Sequence, residues 1–158
     1  MFRRILVPLD GSPTANRGLD AAIALAKNQS ARLCLVHVVD ELVVTQGLNG
    51  TMYVPPGNIE DLLSALRASG EKLLRKAGEK IRQRRIRFDT ALIETAGHRV
   101  ADLIVKQAKK WHADVIVLGT HGRRGLSRVV MGSDAEMIVR EAPVPVLLVR
   151  SPRRRSYL

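Results

Sequence analysis

Four consecutive apolar residues, Val115-Ile116-Val117-Leu118, run directly into Gly119. An unbroken aliphatic run closed by glycine is the pattern of a strand buried on both faces in a parallel sheet. Gly122 follows after two residues, and Gly132-Ser133 after nine more. The residues from Asp134 to Arg140 then have helical character. The order is therefore strand, glycine-rich loop, helix start. Glycine lets a backbone turn tightly and approach a ligand closely. A Gly-Ser pair at a helix start offers backbone N–H groups and a hydroxyl, a combination suited to phosphate. Neither G-x-x-x-x-G-K-[ST] nor G-x-G-x-x-G occurs, so the stretch is not a P-loop or a dinucleotide fingerprint. Gly119 or Gly125 alone needs only a turn to explain it. Gly119, Gly122, Gly132 and Ser133 together favour a nucleotide-phosphate cradle.

The rest of the chain alternates strands with helices. Residues 4–9 form a first strand around Ile5-Leu6-Val7. Ser12 is an N-cap and Pro13 a first helical residue for a helix to about Lys27, with an apolar stripe that includes Leu19, Ala22, Ile23 and Ala26. A second strand spans Leu33 to Val39, with His37 as a satisfied or edge-facing residue inside it. Periodicity vanishes from Asp40 to Asn58, a long loop with Gly47, Gly50, Pro55, Pro56 and Gly57. Such a length fits either a lid beside a site or a variable surface excursion. A long amphipathic helix covers Ile59 to Arg84, weakened by Gly70 and Gly78. Phe88 to Ile93 is a third strand, and His98 to Trp111 a third helix. The glycine stretch and a short helix from Ser133 to about Glu141 lead to a last strand, Val146 to Val149. This alternation predicts a doubly wound parallel sheet with right-handed crossovers. In such sheets ligands bind at the carboxyl ends of the strands, at a topological switch point.

At 158 residues and 46% hydrophobic content, the chain fits one domain with a full core. No run of about 18 apolar residues is present, which excludes a spanning helix. The N-terminus enters a strand at once, without a signal peptide's apolar stretch, and a single cysteine, Cys34, suits a cytoplasmic core residue. The net charge of +11 raises the question of nucleic acid. Much of the excess is local: Arg82, Arg84, Arg85 and Arg87 cluster in one place, and Arg150, Arg153, Arg154 and Arg155 in another. With no recognition-helix, zinc-finger or aromatic RNA-binding signature, a solvated surface is the preferred reading and no nucleic-acid partner is expected, while attraction to an anionic ligand or polyanion stays open.

The spacing Gly119-x2-Gly122-x9-Gly132-Ser133 resembles the ATP-binding branch of the universal stress protein family. The stretch Arg3 to Ser12 is similar to that family's first strand and loop, and Ala142 to Val149 to its last strand. The resemblance covers about residues 1–150, leaving 151–158 as a basic, disordered tail. It implies a five-stranded parallel sheet of order 3-2-1-4-5 with helices on both faces, like the adenine nucleotide alpha hydrolases. It assigns Asp10 and Gly119 to a ribose, Val38 and Val39 to an adenine walled by Pro8 and Leu9, and Gly122, Gly132 and Ser133 to phosphates. Asp134 would lie adjacent, and Arg123 would add a cation from the loop, as Arg124 and Arg128 can. The implied ligand is ATP, or ADP or AMP, with magnesium held mainly by the phosphates. A homodimer through Val144 to Val149 and a regulatory protein partner are also implied.

No Ser-His-Asp order, paired carboxylates or metal-spaced His/Cys set stands out, so a dedicated enzyme is not expected. His121, between two motif glycines, is not assigned catalysis. Three readings stay open: a nucleotide-dependent stress-response regulator, which is preferred; a slow ATPase at the same site; and a partner-binding domain without nucleotide.

Overall fold

The computed structural model describes residues 1–41, 56–120 and 132–150. The elements are β1 (Arg4–Pro8), α1 (Pro13–Gln29), β2 (Arg32–Val39), α2 (Pro56–Arg82), β3 (Phe88–Glu94), α3 (Val100–Lys110), β4 (Val115–Gly119), α4 (Ser133–Glu141) and β5 (Val146–Val149). The five strands form one parallel sheet in the order β3-β2-β1-β4-β5, as expected. The expected loop 40–58 is shorter at its far end, because α2 begins at Pro56 rather than Ile59. α3 begins at Val100 rather than His98. Arg99 is its N-cap, while His98 donates its backbone N–H and presents Nδ1 to the Thr95 carbonyl.

Strand residues alternate between two cores, as the period of two requires. Ile5, Val7, Leu33, Leu35, Val115 and Val117 pack with α1 and α2. Leu6, Cys34, Val36, Ile116 and Leu118 pack with α3 and α4. Every one of these strand residues is buried, which is why the strands read as continuous aliphatic runs. Cys34 is a core residue too. Burial pushes its thiol up to about 11, so at neutral pH it is not a thiolate.

Two glycines on α2 have a use the sequence conceals. A Cβ on Gly70 would stand 2.6 Å from His37 Cδ2 and 2.7 Å from Leu92 Cδ1. A Cβ on Gly78 would stand 2.8 Å from Phe88. What looks like a loss of helix propensity is the clearance that lets α2 lie on β2 and β3. Gly119 does the same where α1 crosses β4, while a Cβ on Gly18 would make only ordinary contact. A Cβ on Gly119 would come within 2.6 Å of the Thr14 carbonyl carbon, and one on Gly18 within 3.4 Å of Gly119 N. Gly119→Ala forces backbone from backbone and should cost about 1–3 kcal/mol, the usual range for overpacking. Urea denaturation read by circular dichroism measures it, and an unchanged midpoint would show that α1 has room to withdraw.

Candidate functional site

At the carboxyl ends of the strands, β1 and β4 are neighbours whose chains leave in different directions, β1 into α1 and β4 toward α4. Their ladder contains Ile5↔Val115 and Leu6↔Ile116. Val7–Pro8 and Val117–Gly119 lie beyond it. This is the switch point, and the described candidate residues stand around it.

Asp10 follows β1. Its Oδ1 accepts the Ser12 N–H at 2.9 Å, an Asx-type turn that fixes the carboxylate. Ser12 Oγ in turn accepts the Ala15 N–H at 3.1 Å and lies 3.2 Å from Thr14 Oγ1. Ser12 is therefore the N-cap of α1, with Pro13 just inside the helix, as expected from the sequence. Leu9 is buried and donates its N–H to Val36 O at 2.7 Å. Its carbonyl lies 2.7 Å from His37 Nδ1, and the geometry makes the imidazole the donor. His37 is thus the satisfied histidine expected, and it ties the lip of β1 to β2.

Val38 and Val39 differ in a way no sequence pattern reveals. The even-numbered residues of β2 bond the β1 side: Arg32 donates its N–H to Arg3 O, and Val36 O accepts the Leu9 N–H. The odd-numbered residues face β3, since Leu33 donates to Arg87 O and Val39 O accepts the Thr95 N–H. By that alternation the main-chain N–H and C=O of Val38 point to the β1 side, past the end of β1. Val39 turns its polar groups away, into the β3 ladder. Of the pair, Val38 alone presents main-chain groups to the crevice.

Beyond β4, the buried Thr120 donates its N–H to Val149 O and accepts the Gly132 N–H at 3.0 Å. This pair of bonds brings the start of α4 back to the end of β4. Gly132, not Ser133, is the N-cap of α4, and no side chain caps it. Ser133 is the first helical residue and is exposed, as is Asp134 beside it. The first N–H groups of a helix lack partners within it and carry a partial positive charge. Gly122 and Arg123, and with them the middle of the glycine motif, lie outside the described residues. Among the described residues no cluster of His, Cys, Asp and Glu is arranged to hold a metal ion. Gly119 is at the site, but its contact with Thr14 already demands glycine.

Residues 1–150 match the universal stress protein family. The chain belongs to that family. Over 151 residues it is 36% identical to universal stress protein YxiE of Bacillus subtilis, covering 95% of this chain and 100% of that one. Among solved structures, the universal stress protein UspA from Lactobacillus plantarum superposes with a TM-score of 0.77 at 26% identity, covering 94% of this chain and 97% of the other. Two others of lower identity share the fold. A universal stress protein in complex with cAMP has a TM-score of 0.62 at 20% identity, covering 96% of this chain and 98% of its own. An Arabidopsis thaliana family member with AMP bound has a TM-score of 0.65 at 16%, covering 96% of this chain and 93% of its own. No helix among the described residues is long and apolar enough to cross a membrane.

The two serines differ in what they cap. Ser12→Ala removes an N-cap and should lower stability by about 1 kcal/mol. Ser133→Ala removes no capping bond and should leave the thermal midpoint within about 1 °C of the parent, as for surface positions. Scanning calorimetry of the two variants decides it; a matching loss in Ser133→Ala would make that hydroxyl structural.

Proposed function

We propose that this universal stress protein binds an adenine nucleotide at the β1/β4 switch point and uses it to set conformation or partner choice. The observation that carries this reading is the orientation of Val38. An N–H and a C=O on one residue, facing a crevice, form a donor–acceptor pair matching adenine N1 and its 6-amino group. Asp10, held by Ser12, accepts ribose hydroxyls beside Gly119. Pro8 and Leu9 wall the base. The start of α4, with Gly132, Ser133 and the adjacent Asp134, receives phosphates, and Gly122 and Arg123 complete the cradle. These donors suit ATP, ADP or AMP, and magnesium would be held mainly by the phosphates. The two relatives of this fold with cAMP and AMP support nucleotide as the ligand class. The nucleotide-binding unit is residues 1–150, with 151–158 as an appended basic tail.

Isothermal titration with ATP and ITP tests the adenine contact. ITP reverses the donor–acceptor order at positions 1 and 6, leaving Val38 mismatched. It should bind about five- to a hundredfold more weakly, since an unsatisfied buried polar group costs about 1–3 kcal/mol. Ser133→Ala should weaken ATP by about tenfold or more, the worth of one hydrogen bond to a charged group. Equal affinity for ATP and ITP, or no binding of either, sinks the reading.

We further propose a homodimer through β5. It is an edge strand, Leu147 is 44% exposed, and an apolar edge left unpaired invites association. Light scattering at micromolar concentration should give twice the monomer mass, and Leu147→Lys should return it to the monomer. A monomeric parent overturns the proposal.

A further inference from the structure

Basic residues precede β1, β2 and β3, and acidic residues follow them. Arg3 and Arg4 stand before and at the start of β1, and Asp10 follows it. Arg32 opens β2, and Asp40 and Glu41 follow. Arg84, Arg85 and Arg87 precede β3, which ends on Glu94. Because these three strands are parallel, their alternation becomes a spatial segregation. The starts of the strands lie together at one end of the sheet, opposite the crevice. Main-chain bonds join them: Arg32 N–H to Arg3 O, Leu33 N–H to Arg87 O, Asp114 N–H to Arg4 O. Lys109 and Lys110, in the last turn of α3, reach the same end just before β4, as does Lys27 in the last turn of α1.

The carboxylates at this end are mostly engaged. Asp89 is taken by Arg32 at 2.5 Å and by the Trp111 indole N–H at 3.0 Å. Asp114 Oδ2 accepts the backbone N–H groups of Arg3 and Arg4 at 2.7 and 2.8 Å. Asp20 pairs with Lys80, and Glu79 adds one exposed negative charge. Arg4 is turned inward over the Trp111 ring, 4.3 Å from its centre. By contrast, Arg3, Arg84, Arg85, Arg87, Lys109 and Lys110 are exposed, and no described carboxylate pairs with any of them. Helix dipoles account for cations in a last turn, but Arg3, Arg84, Arg85 and Arg87 lie outside helices. From β3 to β4 the sheet crosses three strand spacings, about 14 Å, so these charges span several phosphates of a duplex.

We propose that this end of the sheet docks the phosphate backbone of double-stranded nucleic acid without reading its sequence. A duplex suits it better than a single strand, because Phe2, Phe88 and Trp111 are all half-buried and offer no stacking platform. It suits it better than a membrane, because Met1 is the one exposed large apolar residue among those described at this end. The sequence suggested a solvated surface because one local arginine cluster, without a nucleic-acid motif, does not show which basic residues from other elements join it. The fold collects them.

Fluorescence anisotropy of the full chain with a labelled duplex of about twenty base pairs, between about 50 and 200 mM NaCl, tests the proposal. Neutralising four phosphates gives a log–log salt slope near −3.6, about a hundredfold loss over that range. The variant Arg84→Glu/Arg85→Glu/Arg87→Glu should flatten the slope by about 1.8, half of the four contacts. Arg3→Glu/Lys109→Glu/Lys110→Glu, on other elements, should do the same. The control Lys72→Glu/Lys76→Glu/Lys106→Glu makes the same charge change on exposed helix surface and should flatten the slope by less than about 1. Saturating ATP should not displace the duplex. The proposal fails if the parent does not bind, if the control weakens binding as much as the two test variants, if ATP competes, or if phosphatidylserine vesicles bind and the duplex does not.

Discussion

The contact of Thr14 with Gly119 is the constraint on which the site depends. The first turn of α1 lies so close to the end of β4 that no side chain fits between them. That approach brings the cap at Ser12, and the Asp10 carboxylate whose turn Ser12 closes, to the mouth of β4. Thr120 then uses its own N–H and C=O to bind the last strand and the start of α4. The crevice is thus held from three directions by main-chain groups and small residues. Its geometry depends on how closely the backbone packs more than on any large side chain.

The same economy holds under α2. Gly70 makes room for His37, and His37 bonds to Leu9 at the lip of the crevice. The long helix therefore bears on the site at one remove, through an imidazole lodged in a gap on its inner face. On the outer rim, Arg67 joins α2 to the end of β3 by Nε to Glu94 Oε1 at 2.6 Å, and the guanidinium holds that carboxyl below its ordinary range. The pair is solvent-exposed, and its contribution is present at neutral pH and lost as acid protonates Glu94.

Strand and helix periods made most of the fold legible in the residues. Ile5-Leu6-Val7 and Val115 to Leu118 read as doubly buried strands because both sheet faces are covered. Ser12 and Pro13 marked the start of α1 because capping is a local interaction. Local signals failed where the cause is distant in the chain. Gly70 and Gly78 looked like flaws in a helix because His37, Leu92 and Phe88, which need the space, come from other elements. Val38 could not be told from Val39, because side-chain patterning does not disclose which neighbour each main-chain group faces. The charge told the same story: a count of arginines is visible in one dimension, but their shared end is a property of parallel strands.

The orientation of the main chain at Val38 has a consequence for how this surface can vary. The groups that face the crevice there belong to the backbone, which every residue except proline supplies in full. Replacements that keep β2 extended leave the N–H and C=O where they are, whatever their size or polarity. The chemical face offered at that point is therefore carried by strand pairing, by Leu9 on Val36 and Thr95 on Val39, and not by the amino acid at the position. Two relatives can differ at this residue and still present the same donor and acceptor, while a shift in register of one residue would erase it with no change of composition.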